Sequence, residues 1–188
     1  NYFDEAGPFW LFGSDMRMDS AVLAYMSSQN RFRYKNSMAQ GKSSGAQTIT
    51  TATVTIMDLG AEDVDTDTMH DNSTNNSRLT CKLAGKYLIG GTVFWDAQTQ
   101  GTVTILQSRL CLNNSGAFTP IPGSIVNAAP IAAATFATFG QGVPAGTVLV
   151  SLAVNDYVEI AGYHDRVAAS LTAGNTFPTV LWAAYQGE

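Results

Sequence analysis

The chain of 188 residues is long enough for one domain with an appendage and for a sizeable core. Hydrophobic residues make up 45% of the chain and charged residues only 13%, which excludes an intrinsically disordered protein. The net charge of −5 argues against general affinity for nucleic-acid phosphates.

Residues 1–48 differ in charge from the rest of the chain. They carry five basic and four acidic residues, a net charge of +1, whereas residues 49–188 carry −6. Residues 15–26 are compatible with a short capped helix, and residues 31–35, "RFRYK", alternate like a strand. We predict that residues 1–48 form an N-terminal anchor and that residues 49–188 form the main domain.

The basic and aromatic run at 31–35 indicates docking to an acidic partner protein. Proteins that bind single-stranded nucleic acid also interleave such residues, but three basic residues on an acidic protein make that the less favoured alternative. The expected docking residues are Arg31, Arg33 and Lys35.

The first strand predicted in the main domain covers residues 49–57, "ITTATVTIM". Ala52, Val54 and Ile56 face one way and threonines face the other, which is typical of a half-buried strand.

The segment that follows, "DVDTDTMHDNS" at residues 63–73, sets aspartates at alternate positions. The first three resemble calcium ligands of an EF-hand loop, but the sixth position holds Thr68 instead of Gly and the twelfth holds Thr74 instead of Glu. We therefore predict a solvated surface loop built on Asn and Asp turn chemistry. A calcium site is the alternative, with the ligands Asp63, Asp65 and Asp67.

Two strands follow this loop, "RLTCKL" and "KYLIGGTVFW". In the first, Cys81 lies on the same face as two leucines and is predicted to be a core residue. In the second, at residues 86–95, one face holds Tyr87, Ile89, Val93 and Trp95, and the other holds Leu88 and Phe94.

A further strand is predicted over residues 102–112. Within it Cys111 alternates with Gln107 and Arg109, which places its thiol on the more polar face. Opposed faces argue against a disulfide between Cys81 and Cys111. The remaining predicted strands cover residues 135–139, 147–154, 157–163 and 176–185.

The last of these, "TFPTVLWAAY", is apolar on both faces. A sandwich core covers one face, and either a partner subunit or a loop of the same chain has to cover the other. Seven or more short strands with regular turn signals, and no convincing helix after residue 48, predict an all-β protein, an antiparallel sandwich or jelly roll.

The order of these motifs resembles the complement one-q globular head, a member of the tumour-necrosis-factor-like jelly-roll superfamily. In "MHDNSTNNSRLTCKLAGKYLIGGTVFW", His70-Asp71 is similar to the family's Tyr-Asp, residues 79–81 to its Phe-x-Cys, and residues 84–87 to its Pro-Gly-x-Tyr. "GTVLVSLAVNDYVEI" and "NTFPTVLWAAY" are similar to its later strands, so the resemblance spans about three-quarters of the chain.

The resemblance implies a homotrimer. Residues 1–48 show no collagen-like Gly-X-Y repeat. The sequence "SRLTCKLAGKYLI" looks most like the versions of this domain found in bacteriophage structural proteins. This resemblance implies a place on a virion, as a fibre, spike or capsid decoration. The expected trimer interface consists of Tyr87, Phe94, Phe177, Leu181, Trp182 and Tyr185.

The residues for catalysis are sparse. The histidines are His70 and His164, each beside an aspartate in a predicted loop, and there is no G-x-S-x-G elbow, no Walker loop and no zinc motif. We expect no enzymatic activity, no cofactor, no membrane insertion and no nucleic-acid partner. Two hypotheses for the function follow. The protein is either a trimeric virion component that assembles with other virion proteins through residues 1–48, or a module that recognises a host receptor or glycan.

Overall fold

The structure is a computed structural model that describes residues 25–26, 32–33, 37–97, 105–114, 116, 118–128, 140–166 and 170–187. The chain divides into two compact units, Asn1–Lys35 and Asn36–Glu188. Every regular element in the described residues is a β-strand, and none of those residues belongs to a helix that could span a membrane.

In the first unit, strand β1 (Tyr25–Met26) pairs antiparallel with strand β2 (Phe32–Arg33). The strand predicted at residues 31–35 is therefore confirmed at Phe32–Arg33. The helix considered for residues 15–26 is wrong at its last two residues, and the others lie outside the described residues. Arg31, Lys35 and the Arg33 side chain also lie outside them, so their docking role stays a prediction.

The second unit is a sandwich of two antiparallel sheets. The strands of its seven-stranded sheet are β3 (Met38–Lys42), β4 (Gln47–Ile49), β6 (Ala61–Asp65), β8 (Gly85–Trp95), β11 (Gln141–Leu152), β13 (Leu171–Ala173) and β14 (Val180–Gly187). They follow the order β4-β13-β8-β14-β3-β6, and β11 pairs with β8.

The second sheet has five strands. These are β5 (Thr55–Ile56), β7 (Arg78–Thr80), β9 (Leu106–Leu112), β10 (Val126–Ala128) and β12 (Tyr157–His164). They follow the order β10-β9-β12-β5, and β7 pairs with β12.

The core lies between the two sheets, and β8 contributes its largest side chains. Tyr87, Ile89, Val93 and Trp95 are fully buried, as the alternation of the sequence predicts. From the other sheet, leucines of β9 and the Val158 and Ile160 side chains of β12 complete the same cluster. The two faces of β8 are therefore assigned: its odd-numbered residues from Tyr87 to Trp95 point into the sandwich.

The predicted boundary after residue 48 has to be corrected. Strand β3 pairs with the final strand β14, from Lys42 opposite Val180 to Met38 opposite Ala184, and β4 pairs with β13. Residues 38–49 therefore belong to the sandwich, since their backbone groups form its sheet, and the compact unit begins at Asn36. An N-terminal segment distinct from the sandwich ends at Lys35.

The single strand predicted at residues 49–57 is also wrong. The chain turns at Ala52, whose φ is 54°, and its two halves join different sheets: β4 pairs with β13 and β5 pairs with β12. The strands predicted at 86–95, 147–154, 157–163 and 176–185 are present as β8, β11, β12 and β14, whereas residues 135–139 lie outside the described residues.

Both cysteines are free and fully buried. The prediction that Cys81 is a core residue is confirmed, but the face of β9 that holds Cys111 is not exposed to solvent at that residue. Burial raises the pKa of the Cys111 thiol to about 11, so it stays protonated at neutral pH.

His164 is a fully buried histidine that packs against the edge of Trp95, with a ring-centroid distance of 5.7 Å. Its Nδ1 accepts a hydrogen bond from the Arg166 backbone N–H at 3.1 Å, and its Nε2 lies 2.9 Å from the Ile49 carbonyl oxygen. A neutral ring with its proton on Nε2 satisfies both contacts. Burial lowers the pKa of His164 below 6.5.

Acid is therefore expected to destabilise the fold through His164. The unfolded chain binds this proton near pH 6.5 and the folded chain binds it only at lower pH, so the free energy of unfolding falls as the pH drops below 6.5. The slope is up to about 1.4 kcal/mol per pH unit. Urea unfolding at about pH 7.5 and about pH 5.5 measures it, and His164→Gln, which has an amide donor but does not titrate, is expected to be less acid-sensitive. Equal acid sensitivity in both proteins would contradict this assignment.

Candidate functional site

The outer face of the seven-stranded sheet carries many apolar side chains. The polar side chains of Gln40, Lys42 and Thr92 point to this side. The apolar side chains that point the same way on adjacent strands are Met38, Val64, Leu88, Phe94, Leu149, Val180, Trp182 and Ala184. Leu149 on β11 lies opposite Leu88 on β8 and is 59% exposed. We call this set of eight side chains the apolar face.

Trp182 lies at the centre of the apolar face. In the sheet register it is opposite Gly90 on one side and Gln40 on the other, and its indole ring covers Gly90. A Cβ atom at Gly90 would lie 2.5 Å from Trp182 Cζ2, so only glycine leaves room for the ring in this position. The indole is half-buried within its own chain and keeps one side open.

An aromatic pair stands at one end of the apolar face. The Phe94 and Phe177 ring centroids are 4.7 Å apart, and Phe177 is 57% exposed. The loop that carries Phe177 is held by the buried Asp96 carboxylate, which accepts hydrogen bonds from the backbone N–H groups of Asn175 and Thr176 at 3.0 and 2.8 Å. Phe177 is thus presented to solvent on a fixed loop.

The expected interface residues separate into two groups. Phe94, Phe177 and Trp182 lie outside the core and are available to a partner. Tyr87 and Leu181 are fully buried between the sheets, so their assignment to an interface is wrong. Tyr185 is half-buried and packs edge-on against Tyr87 at 5.4 Å, which makes it a core contact as well.

Leu149 and Val64 belong to the apolar face but are missing from that expectation. Leu149 follows Val148 and precedes Val150, so the alternation along β11 already puts it on the side opposite to those two valines. Val64 lies between two aspartates, so the sequence around it does not indicate an apolar face. Its pairing opposite Gln40 is what places it there.

The outer face of the five-stranded sheet is polar. Glu159 accepts a hydrogen bond from the Ser77 hydroxyl at 2.7 Å, and the Arg78 guanidinium lies 4.5 Å from the centre of the Tyr157 ring. The contrast between the two outer faces matters because an apolar outer face, unlike a polar one, is stabilised by covering it.

The Asp-rich segment is better ordered than a solvated loop. Its first residues belong to β6, and the Asp65 carboxylate then accepts three backbone hydrogen bonds, from Asp67 at 3.2 Å, Met69 at 2.9 Å and His70 at 2.9 Å. Met69 and His70 are buried, which corrects the expectation of a fully solvated loop. Asp71 to Asn75 are exposed, as expected.

The three aspartates considered as calcium ligands have separate tasks. Asp63 forms an ion pair with Lys42 and accepts a hydrogen bond from Gln40, Asp65 holds the loop, and Asp67 donates its backbone N–H to Asp65. In the part of the chain that the structure describes, no group of three His, Cys, Asp or Glu side chains is arranged to hold a metal ion.

Asp65→Ala is expected to destabilise the protein by about 2 kcal/mol or more, since hydrogen bonds to a charged group contribute about 1.5–3 kcal/mol each. Asp63→Ala, which removes a surface ion pair, is expected to cost less than about 1 kcal/mol. Thermal melting of the two variants, with calcium and with chelator, measures both losses of stability. A melting temperature that rises with calcium and loses that rise in Asp65→Asn would contradict a loop held without metal.

Comparisons with known proteins find a match in structure alone. No family model matches the sequence, and no curated protein matches it. The Eiger TNF from S. frugiperda superposes with a TM-score of 0.53 at 10% identity, covering 82% of this chain and 94% of that chain.

Murine APRIL gives a TM-score of 0.53 at 12% identity, covering 81% of this chain and all of the other. The globular domain of the zebrafish complement 1qA protein gives 0.49 at 11% identity, covering 79% of this chain and 95% of that chain. The predicted fold is confirmed: the chain folds as a jelly-roll sandwich like that of the tumour-necrosis-factor-like proteins.

Proposed function

We propose that this protein is a homotrimeric structural component of a bacteriophage virion, a fibre, spike or capsid decoration that contributes to assembly and host attachment. The observation that carries the proposal is the apolar face, which a second copy of the chain covers in the trimer. The sequence resemblance to phage versions of this domain supports the location. We also propose that the protein has no enzymatic activity and inserts into no membrane.

A second copy fits the apolar face better than solvent does. Leu149, Trp182 and Phe94 lie on adjacent strands and on the same face of one sheet. Burying one large apolar side chain contributes roughly 1.5–3 kcal/mol. Closed three-fold symmetry repeats that contribution at three equivalent interfaces without leaving an open, polymerising surface.

The virion location is tested on the particle. Antibodies against the purified protein, applied to intact particles of the phage that encodes it, are expected to label head or tail at sites that electron microscopy can locate. Mass spectrometry of the same purified particles is expected to find the chain in multiples of three. Particles that contain none of this chain would overturn the virion assignment.

The anchoring role is now proposed for residues 1–35, because residues 38–49 belong to the sandwich. A chain that begins at Asn36 is expected to fold and to form trimers but to be lost from the particle. Circular dichroism, sedimentation and incorporation into particles are measured together. A truncated chain that folds and still enters the particle would contradict the anchoring role.

A second candidate is a recognition module that binds a host receptor or glycan, with or without calcium. Phe177 favours this candidate, because an exposed aromatic side chain on a loop fixed by Asp96 is a common feature of binding sites. The two candidates are compatible, since a tip that attaches to a host is both structural and a receptor binder. Adsorption of the purified trimer to host cells separates them.

A further inference from the structure

A small polar cavity opens at the edge of the sandwich, where β4 of one sheet lies near β5 of the other. Its volume is about 230 Å³, and it is lined by Ser44, Gly45, Ala46, Gln47, Asp58 and Asn76. Pockets for drug-sized ligands measure about 300–1,000 Å³, so this cavity suits a single small ring. None of its lining residues belongs to the apolar face.

Hydrogen bonds hold the cavity walls in place. The Gln47 carboxamide donates to the Ile56 carbonyl oxygen at 2.7 Å and accepts from the Asp58 backbone N–H at 2.8 Å, so it ties β4 to the segment after β5. On the opposite wall, the Asn76 carbonyl oxygen accepts from Leu59 N at 3.0 Å and contacts His70 Nε2 at 3.1 Å.

This arrangement gives the Asp-rich segment a role. Asp65 fixes the backbone at His70, and the buried His70 ring lies between the Glu62 carboxylate, 3.2 Å from its Nδ1, and the Asn76 carbonyl oxygen. Asn76 is thereby held in one position on the cavity wall. A site whose walls are ordered before the ligand arrives loses less entropy on binding.

Three of the lining residues carry polar side chains that take no part in these hydrogen bonds. Among the described residues, no hydrogen-bond or ion-pair partner is found for the Asp58 carboxylate, the Asn76 carboxamide or the Ser44 hydroxyl. The Ser44 side chain packs closely over Gly60. The lining residues thus offer a carboxylate, an amide and a hydroxyl to a ligand, with Ser44 and Asp58 exposed to solvent.

We propose that this cavity binds a neutral polyhydroxylated ring, such as one sugar residue of a surface glycan. A carboxylate accepts from two hydroxyl groups, while the carboxamide and the Ser44 hydroxyl both donate and accept, so the set matches alternating sugar hydroxyls. An anion is disfavoured by Asp58, since no basic residue lines the cavity. A calcium ion needs six to eight oxygen ligands, and a single carboxylate side chain lines the cavity.

The inference rests on the recognition role proposed above, and it names the ligand class and the site. The cavity lies at the edge of the sandwich, and none of its lining residues is Leu149 or Trp182. Three cavities in one trimer would bind a multivalent glycan surface with an avidity of roughly 10²–10⁴ over a single site.

The test begins with the purified full chain, with chelator present, on a printed array of glycans. Methyl glycosides of the sugars that bind are then titrated by saturation-transfer NMR against the wild-type protein and two variants. Asp58→Ala removes the free carboxylate and is expected to raise the Kd at least about tenfold, which corresponds to about 1.4 kcal/mol. Asn72→Ala, an exposed amide outside the cavity, is the matched control and is expected to leave the Kd unchanged.

Three outcomes overturn the inference. The first is that no glycan binds on the array, and the second is that sugar binding survives Asp58→Ala. In the third, lysine amide, tested as a second probe, shows saturation transfer and no methyl glycoside does, which would assign an amine site instead. Sedimentation of the same wild-type sample distinguishes a wrong sugar-site assignment from a wrong trimer assignment. A trimer that binds no sugar rejects the cavity assignment alone, whereas a monomer rejects the proposed trimer.

Discussion

Trp182→Asp is expected to separate the proposed trimer into monomers. The indole occupies the centre of the apolar face, and a carboxylate there would have to be desolvated at each of three interfaces. Losing roughly 1.5–3 kcal/mol of apolar burial per subunit already weakens association about tenfold or more at each contact. Analytical ultracentrifugation at micromolar concentration measures the change.

Two further variants make this result decisive. Leu149→Asp alters the same face at a side chain that is 59% exposed, so its fold is expected to survive even if Trp182→Asp is unstable. Val154→Asp is the matched control, since Val154 is 52% exposed at the turn after β11 and lies off the apolar face. A trimeric Leu149→Asp protein, or a wild-type protein that is monomeric at the same concentration, would show that the apolar face is not the interface.

Gly91→Ala is expected to destabilise the fold by about 1–3 kcal/mol, the usual cost of overpacking a core. A Cβ atom at Gly91 would overlap the Val180 carbonyl oxygen in the neighbouring strand and lie 2.8 Å from Ile160 Cδ1 in the opposite sheet. The melting temperature is expected to fall by roughly 2–12 °C, at about 2–4 °C per kcal/mol for a chain of this size.

Gly142→Ala is the control for this variant. Gly142 lies in β11 of the same sheet, but its added Cβ would meet no atom closer than 3.4 Å. It is expected to be neutral or to stabilise the protein by up to about 1 kcal/mol, because alanine restricts the unfolded chain more than glycine does. Equal melting temperatures for the two variants would mean that β8 and β14 are not packed as closely as described.

The grouping of side chains on the two faces of β8 could be predicted from the sequence. The alternation in β8 assigns Tyr87 and Trp95 to one face and Phe94 to the other, and the structure confirms that assignment. The period of two shows which residues share a side, but it does not show which side meets the second sheet. For that reason Tyr87, a core residue, was expected at the interface beside Phe94.

The sheet crossing at Ala52 could not be predicted. Alternation continues through residues 49–57, although the chain leaves one sheet at Ile49 and enters the other at Thr55. The turn needs a positive φ at Ala52, and alanine gives no sign of it. The boundary at Asn36 was missed for a related reason, since β3 is short and its partner β14 is distant in the sequence.

The cavity at the sandwich edge was also beyond sequence analysis. Gln47, Asp58 and Asn76 come from three segments that approach one another only after both sheets have formed. His70 was noted for its neighbour Asp71, whereas in the structure its ring contacts Glu62 and the Asn76 carbonyl oxygen. The burial of His70, which the exposed surroundings did not indicate, is what connects the Asp-rich segment to the cavity.

The position of β14 has a consequence for synthesis of the protein. The last strand of the chain lies between β8 and β3 in the sheet, so β3 lacks this partner until residues 180–187 have been made. Until then both neighbouring strands expose unpaired backbone groups, which favours pairing with other nascent chains. Long-range pairing of this kind also folds slowly. We therefore expect chains that stop before Val180 to aggregate, and a permuted chain that starts with β14 and continues into β3 to fold faster than the natural order.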